Sequence, residues 1–321
     1  AEVGPDALDG TAGTSGLGTA GLGAAVAGGG GADGRLDEAR LRAVPSLLGA
    51  MPGGVDVGTL IHAVLERTDF AADDLNGALR EELDRARDRR HLELGDPDTV
   101  VAGLTAAICT PLGPLVDDLR LRDVGTGDRL DELDFELPLA GGDAPTATVT
   151  VDGIAALLRR HLPPGDPLEG YADRLVDPAL DRDLRGYLAG SLDLVVRTLD
   201  AGGDQRFAVV DYKTNWLGVD GEELSAWHYR PAALADAMHR AHYPLQALLY
   251  TVALHRYLRW RLPGYTADRN LAGVLYLFVR GMTGATAPRM EGQPCGVFAW
   301  RPAAALVEAL SDLLDRGAVA A

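Results

Sequence analysis

An α/β fold is predicted for this chain of 321 residues, with a mainly helical N-terminal third followed by one mixed sheet flanked by helices. Two patterns carry the prediction. From residue 36 to about residue 110, apolar side chains recur at helical spacing. From about residue 130, apolar stretches of strand length are interleaved with helical stretches. A helical region followed by this mixture is typical of an α/β architecture around one sheet.

The N-terminal third divides into a linker and four helices. Residues 1–35 are rich in Gly and Ala and contain no aromatic side chain, which is typical of a flexible linker or tether. Residues 36–321 are predicted to form one folded domain. Its first four helices are predicted at Leu36–Leu48, Gly58–Thr68, Leu75–Arg90 and Asp98–Thr110.

The remaining elements follow from alternation, turn residues and prolines. Charged and apolar residues alternate in one half-buried strand, and two further strands flank a turn with Gly202 and Gly203, which suits a tight hairpin. The five predicted strands are Leu130–Leu139, Tyr187–Thr198, Arg206–Tyr212, Leu271–Arg280 and Gly296–Trp300. The helices predicted between and after them are Asp152–His161, Arg230–His242, Pro244–Trp260 and Ala303–Arg316.

Composition excludes several classes of protein. Two cysteines, Cys109 and Cys295, are too few for a disulfide scaffold, a four-thiolate zinc site or an iron–sulfur cluster. No apolar run approaches the roughly 18 residues that span a bilayer, and no secretory signal pattern is present. We therefore expect a cytoplasmic setting and no membrane. The formal net charge of −17 argues against strong, non-specific nucleic-acid binding by this chain alone.

One hairpin brings together residues that suit cation chemistry. Asp193 lies in the strand before the Gly-Gly turn and Asp211 lies in the strand after it. Lys213 directly follows that strand, on the same face as Asp211 by alternation. Their neighbours are apolar, so two unpaired acids would be costly to bury there. Either the acids lie at solvated strand ends, with an ordinary ion pair to the lysine, or they hold a divalent cation such as Mg²⁺. The negative net charge does not exclude a nuclease, because clustered carboxylates are the groups that hold divalent metal ions.

Lys213 is the only lysine beside 29 arginines. This bias fits a GC-rich genome, so the single lysine is either a matter of chance or a position where arginine would not serve. A guanidinium is planar and never deprotonated, whereas a lysine ammonium is a compact point charge. Beside two acids, the ammonium would position an attacking water or stabilise charge on a scissile phosphate.

The same residues carry a resemblance to a known family. Gly190–Val196 (GSLDLVV) and Val209–Gly218 (VVDYKTNWLG) resemble the nuclease motifs of the RecB-like family in the PD-(D/E)xK superfamily. Further blocks follow in the family's order, and together they cover roughly residues 45–316. They are Gly58–Glu66, Glu132–Leu139, Tyr243–Leu262 and Gly273–Met282. The resemblance implies a restriction-endonuclease-like core with a mixed central sheet.

The resemblance also implies roles for particular residues. Asp193 and Asp211 match the metal-binding acids, and Lys213 matches the catalytic lysine. His62 matches a metal-ligand histidine, and the backbone carbonyl of Tyr212 is implied as a further ligand. On sequence alone, a histidine on a partly apolar helix more often belongs to the core.

Further positions are singled out by the same resemblance. Glu132 matches an active-site acid that acts directly or through water, although by itself it is one charge in an acidic run. Glu66, one helical turn after His62, is expected to orient the imidazole. Gln246 and Tyr250 form the family's Q-x-x-x-Y motif on one helix face, where they contact DNA or support the site; core packing is the alternative.

Three aromatic residues follow the predicted active strand. Trp216, Trp227 and Tyr229 either stack on the bases of a single strand or pack in the fold. The pattern leaves both roles open.

The function implied by the resemblance is a Mg²⁺-dependent deoxyribonuclease of the exodeoxyribonuclease V type. One or two Mg²⁺ ions per site are expected, and Mn²⁺ or Ca²⁺ would substitute in binding. The expected substrate is mainly single-stranded DNA, in double-strand break repair and in degradation of foreign DNA. RecC- and RecD-type subunits, RecB-type helicase domains and the RecA recombinase are the expected partners.

Other functions remain open at this stage. No Walker A sequence occurs, so we expect the chain to be the nuclease part and tether of a longer helicase–nuclease polypeptide. A catalytically silent docking module for helicase subunits or RecA is the alternative, and the complete acid–acid–lysine set argues against it. A third option is a stand-alone or AddAB-type nuclease, although two cysteines exclude the branches that hold an iron–sulfur cluster.

Overall fold

The structure is a computed structural model that describes residues 33–90, 92–143, 147–176 and 183–317. Helices α1 to α10 span Asp33–Arg42, Val55–Arg67, Leu75–Arg90, Pro97–Cys109, Val151–His161, Tyr171–Leu175, Pro231–Arg240, Tyr243–Arg261, Ala267–Asn270 and Ala304–Arg316. Strands β1 to β9 span Arg129–Leu139, Val149–Thr150, Asp183–Leu184, Gly186–Leu199, Gln205–Lys213, Leu271–Phe278, Arg289–Met290, Gln293–Pro294 and Val297–Trp300. This order confirms the predicted α/β class with a helical N-terminal part.

The predicted helices and strands are all present, most of their ends differ by one or more residues, and two of these differences have a clear physical reason. α1 begins at Asp33 and ends well before its predicted end at residue 48, because the chain turns towards Pro45, which disfavours helix before it and forms a bridge with Ser225. β6 ends at Phe278, where the chain enters a short 3-10 turn. Residues 1–32 of the predicted linker lie outside the described residues, and residues 33–35 belong to α1.

Five strands form the central sheet in the order β1-β4-β5-β6-β9. β5 and β6 pair in parallel and the other neighbours pair antiparallel, so the sheet is mixed. The β4–β5 turn is closed by Asp200, whose carboxylate accepts from the backbone N–H groups of Gly202 and Asp204. The parallel connection from β5 to β6 runs through α7 and α8, as a crossover requires.

Helices cover both faces of the sheet and divide the apolar core into two layers. The first layer lies between the sheet and α2, α3 and α4, and includes Leu60 and Leu104. The second lies between the sheet and α5, α7, α8 and α10, and includes Leu254 and Leu310. In the described part of the chain, no single helix is long and apolar enough to cross a membrane, while α4 and Pro114–Asp123 together pass that test across a bend of 61°.

Arg280 fastens the helical N-terminal part to the end of the sheet. Its side chain is 1% exposed and donates to four backbone carbonyls. Nη1 donates to Leu48 and Met51, and Nη2 donates to Pro52, in the segment between α1 and α2. Nε donates to Thr214, the residue directly after β5. One buried guanidinium therefore ties the N-terminal layer to the loop that follows β5.

We expect Arg280→Met to lower the free energy of unfolding by about 3 kcal/mol or more, because several buried carbonyls would lose a charged donor. Urea unfolding followed by circular dichroism measures the change. Arg301→Met is the matched control, since Arg301 is exposed and donates to the single carbonyl of Asp268. Equal losses in the two variants would contradict the fastening role.

Candidate active site

The candidate site forms where the β4–β5 ladder ends. The last pair of that ladder is Leu194↔Val210, and the same register places Asp193 opposite Asp211 just beyond it. The backbone N–H of Tyr212 donates to Oδ2 of Asp193 at 2.9 Å. The hairpin therefore brings the two predicted acids together.

His62 reaches this point from α2. That helix buries Ile61 and its apolar neighbours against the sheet, and His62 lies at the edge of the buried stripe. Nδ1 of His62 is 3.4 Å from Oδ2 of Asp193, and its ring meets that of Tyr212 edge-on with centroids 5.9 Å apart. Burial opposes protonation of the imidazole, but the Asp193 carboxylate leaves the pKa of His62 raised. Burial likewise opposes ionisation of Asp193, but His62 and Lys213 hold its pKa below the usual range.

Asp211 and Lys213 form a buried ion pair at the end of β5. Oδ2 of Asp211 lies 2.6 Å from Nζ of Lys213, and the two side chains are 2% and 7% exposed. Burial raises the pKa of Asp211 to about 6, despite the neighbouring ammonium. Burial also works against the charge on Lys213, but Asp211 and Asp193 leave its pKa raised. The lysine is therefore a cation at neutral pH.

Two tyrosine rings lie against the Lys213 ammonium. Nζ is 4.4 Å from the ring centroid of Tyr243 on α8, and 5.4 Å from that of Tyr276 on β6. Tyr276 is the partner of Asp211 in the parallel β5–β6 ladder. A cation over an aromatic face is attracted by the ring quadrupole, so the two rings stabilise the ammonium in this position.

Neither tyrosine was singled out from the sequence, although each carries a signal. Tyr243 lies three residues before Gln246, at a spacing that shares one helix face. Tyr276 is the single tyrosine in the otherwise apolar strand β6. What the sequence lacks is the register that sets β6 beside β5, on which the contact of Tyr276 depends.

Gln246 and Tyr250 form hydrogen bonds next to these rings. Nε2 of Gln246 donates to the Tyr250 hydroxyl at 2.9 Å, and the Tyr276 hydroxyl donates to Oε1 of Gln246 at 3.0 Å. Both side chains of the motif are buried, and Tyr250 also meets Phe135 edge-on. Burial of both side chains disfavours direct contact with DNA and is compatible with support of the site and with core packing.

Glu132 lies beside the cluster, where the β1–β4 ladder is interrupted. Its place in that ladder is opposite Asp193, and it has a φ of +47°, a left-handed conformation that is strained for glutamate. Its side chain is exposed and contacts Glu66, whose pKa is raised by burial and by the Glu132 charge. The expectation that Glu66 orients the His62 ring is not met, because Glu66 faces Glu132 and Asp193 contacts the ring.

The donors of this cluster suit a divalent cation by charge and by type. Two carboxylates, one imidazole and the backbone carbonyl of Tyr212 are groups that Mg²⁺ or Mn²⁺ accepts. Oδ2 of Asp211 is buried and makes no aligned hydrogen bond, even beside Lys213. Within the described ranges, no three His, Cys, Asp or Glu side chains converge closely enough to share one ion. The cluster therefore consists of two pairs, His62 with Asp193 and Asp211 with Lys213, and not of a closed cage.

Comparison with known protein families identifies the fold that carries this cluster. Residues 38–319 match the family model of the PD-(D/E)XK nuclease superfamily. The chain belongs to this superfamily. The predicted family and the predicted restriction-endonuclease-like fold class are both confirmed by this match and by the mixed sheet.

Relatives of this PD-(D/E)XK chain carry the name RecBCD enzyme subunit RecB. It is 48% identical over 306 residues to the protein of Mycobacterium tuberculosis (strain CDC 1551 / Oshkosh), and 48% identical over 274 residues to that of Mycolicibacterium smegmatis. It is 31% identical over 268 residues to the protein of Escherichia coli K12. The matches cover 89%, 85% and 82% of this chain, but 27%, 25% and 19% of the relatives. The chain therefore spans about a quarter or less of the length of these RecB proteins.

The single lysine makes the tyrosine contacts testable by NMR. We expect lysine labelled with ¹³C at Cε to give one ¹³C signal, from Lys213, displaced upfield by the rings of Tyr243 and Tyr276. Tyr243→Leu removes one ring and is expected to move the signal towards that of free lysine, whereas Tyr243→Phe keeps the displacement. Tyr257→Leu, on the same helix, is the control and should leave the signal unchanged. A signal that does not move in Tyr243→Leu would rule out the contact.

Proposed function

We propose that this chain is a divalent-metal-dependent deoxyribonuclease domain that hydrolyses phosphodiester bonds, mainly in single-stranded DNA. The observation that carries the proposal is the acid–acid–lysine cluster at the end of the β4–β5 hairpin, in a chain of the PD-(D/E)XK superfamily. The proposed cation is Mg²⁺, with one or two ions per site, and Mn²⁺ or Ca²⁺ would substitute in binding.

Asp193, Asp211 and His62 are proposed to hold the cation, with the backbone carbonyl of Tyr212 as a further ligand. When bound, a divalent cation supplies positive charge that acidifies a water molecule and polarises the phosphate. The imidazole and the Asp211 carboxylate must lose their protons before they can act as ligands. Both groups hold protons more strongly than usual, so they would release protons when a cation binds.

Lys213 is proposed to orient the attacking water and to stabilise negative charge on the reacting phosphate. An ammonium that keeps its proton donates hydrogen bonds and does not accept them, so it acts through charge and not as a base. The Asp211 contact and the two tyrosine rings hold Nζ in place before the substrate binds, which favours electrostatic stabilisation. Gln246 and Tyr250 support the rings, and Glu132 assists from the exposed side, directly or through water.

We further propose that the chain works as the nuclease part of a RecBCD-type helicase–nuclease, in double-strand break repair and in degradation of foreign DNA. The name of its relatives supports this assignment. RecC- and RecD-type subunits, RecB-type helicase domains and RecA are the proposed partners, in the cytoplasm. The net charge of −17 supports delivery of the strand by such partners, because the chain has little electrostatic attraction for DNA of its own.

Cleavage of end-labelled linear single-stranded DNA tests the proposal. We expect cleavage with Mg²⁺ and none with EDTA. Asp211→Asn and Lys213→Arg should each lose at least about a hundredfold in rate, which is the usual effect of removing one preorganised charge or donor. Asp204→Asn, at the turn of the same hairpin, and Arg206→Lys, on the same strand, are the matched controls and should cleave at the wild-type rate.

Two outcomes would contradict this assignment. Wild-type cleavage by Asp211→Asn would mean that the cluster is not the site. An inactive wild type that also fails to bind Mg²⁺ in calorimetry would favour the docking module instead.

The affinity for a divalent cation is expected to rise as the pH rises through about 6. The pKa of Asp211 is about 6 and that of His62 is raised, and a proton on either group competes with the cation. Affinity should therefore fall as the pH drops through about 6, by up to about tenfold per unit for each proton displaced. Calorimetric titration with Mn²⁺ at several pH values measures this slope.

Substitution of His62 isolates the contribution of its imidazole to the pH dependence of cation affinity. His62→Ala should flatten the pH dependence of Mn²⁺ affinity, whereas His161→Ala, at the end of α5, should leave it unchanged. An affinity that is independent of pH in the wild type would argue against ligation by these two groups.

A further inference from the structure

The three aromatic side chains that follow Lys213 have different surroundings. Tyr229 is fully buried, and its hydroxyl donates to the carbonyl of Asn215 at 2.8 Å. Trp227 is half-buried, and the guanidinium carbon of Arg230 lies 3.9 Å from its ring centroid. Trp216 is 41% exposed. Packing therefore accounts for the first two residues, while the exposed indole of Trp216 contributes little to the core.

The residues on both sides of Trp216 are held by buried tyrosines. The backbone carbonyl of Asn215 accepts from Tyr229, and its Oδ1 accepts from the hydroxyl of Tyr243 at 3.3 Å. The backbone N–H of Leu217 donates to the Tyr229 hydroxyl at 3.4 Å. Tyr229 thus fixes the backbone on both sides of the exposed indole, and Tyr243, whose ring contacts Lys213, holds the side chain of Asn215.

The indole itself is placed by Gly218. A Cβ atom at position 218 would lie 2.4 Å from Cζ2 of Trp216, so the ring packs directly on the backbone at a point where only glycine leaves room. The side chain therefore combines solvent exposure with a defined orientation. An aromatic surface of this kind is preorganised, which reduces the entropy lost when a ligand binds.

Trp216 is also close to the proposed site along the chain. It comes three residues after Lys213, and three residues of chain span at most about 11 Å. A base that neighbours a phosphate at Lys213 is within reach of the indole.

We propose that Trp216 is a stacking platform for a base of single-stranded DNA next to the scissile phosphate. The inference rests on the proposed nuclease function and deepens it by naming a residue that binds the substrate.

Two properties of the molecule favour stacking as the means of holding the strand. A chain with a net charge of −17 gains little from general attraction to phosphates. Stacking on an aromatic ring requires no charge, and it tolerates any sequence because every base has a π-face. In a duplex both faces of a base are covered by its neighbours, so an exposed ring of this kind selects unpaired strands.

Equilibrium binding of a fluorescent oligothymidylate of about 12 nucleotides tests the proposal, since this length is within the site sizes of single-strand binders. The 321-residue chain is titrated with Ca²⁺ in place of Mg²⁺, and gels check that the strand stays intact. Trp216→Leu should bind about 5- to 100-fold more weakly, the usual effect of losing one stacked side chain. Trp216→Phe should retain most of the affinity. Trp260→Leu is the matched control, because Trp260 is 77% exposed at the far end of α8.

A strand without bases distinguishes binding to the bases from binding to the DNA backbone. On an abasic strand of equal length, Trp216→Leu and the wild type should bind equally. Wild-type affinity of Trp216→Leu for oligothymidylate would overturn the proposal, and so would an equal loss on the abasic strand. A wild type that binds neither strand would overturn it as well.

Failure of this inference is distinguishable from failure of the nuclease assignment. If the wild type cleaves with Mg²⁺ while Trp216→Leu binds oligothymidylate normally, only the stacking role is lost. If the wild type neither cleaves DNA nor binds Mg²⁺, the nuclease assignment is lost too.

Discussion

The ion pair of Asp211 and Lys213 lies at the end of a strand with apolar neighbours, and the arrangement of the site follows from that constraint. Taking an ion out of water costs several kcal/mol, and one opposite charge does not fully offset this, since the pKa of Asp211 remains raised to about 6. Two aromatic rings stabilise the cationic partner of the pair. The faces of Tyr243 and Tyr276 lie against the ammonium. The result is a lysine that stays charged and in place inside the protein.

The site also depends on both layers of the core being folded. His62 comes from α2, in the layer of the N-terminal helices, whereas the tyrosine beside Lys213 comes from α8, on the opposite face. The sheet separates these layers, and both groups reach the cluster at the point where the β4–β5 ladder stops. Arg280 links the two parts by hydrogen bonds, because its guanidinium donates both to the segment before α2 and to the carbonyl of Thr214. Loss of the N-terminal layer would therefore remove His62 from the cluster, and loss of the opposite layer would remove the Tyr243 ring from Lys213.

Local rules predict the part of this site that lies within one hairpin or one helix. Asp193 and Asp211 were predictable because a short turn and the strand period of two leave little freedom in register. Helical spacing predicts that Gln246 and Tyr250 share one helix face, whereas their link to the site comes from the family resemblance. The rest depends on contacts between distant segments. The partners of Arg280 lie more than sixty residues away, and the contact between Glu66 and Glu132 accompanies a left-handed backbone at a non-glycine residue, which no sequence pattern announces.

The electrostatics of the two pairs connect the fold with the proposed chemistry. Each acid has a cationic partner of its own: Lys213 lies against Asp211, and the raised pKa of His62 favours a proton on the imidazole beside Asp193. A divalent cation requires a neutral imidazole, so its binding would release the proton of His62 and remove that charge from beside Asp193. Lys213 has no such exchange available, because its pKa is also raised and its ammonium stays charged. The cluster therefore contains two cationic partners of different kinds. His62 can lose its proton, and its charge is suited to be replaced by that of a metal cation, whereas Lys213 stays charged and is suited to face a phosphate.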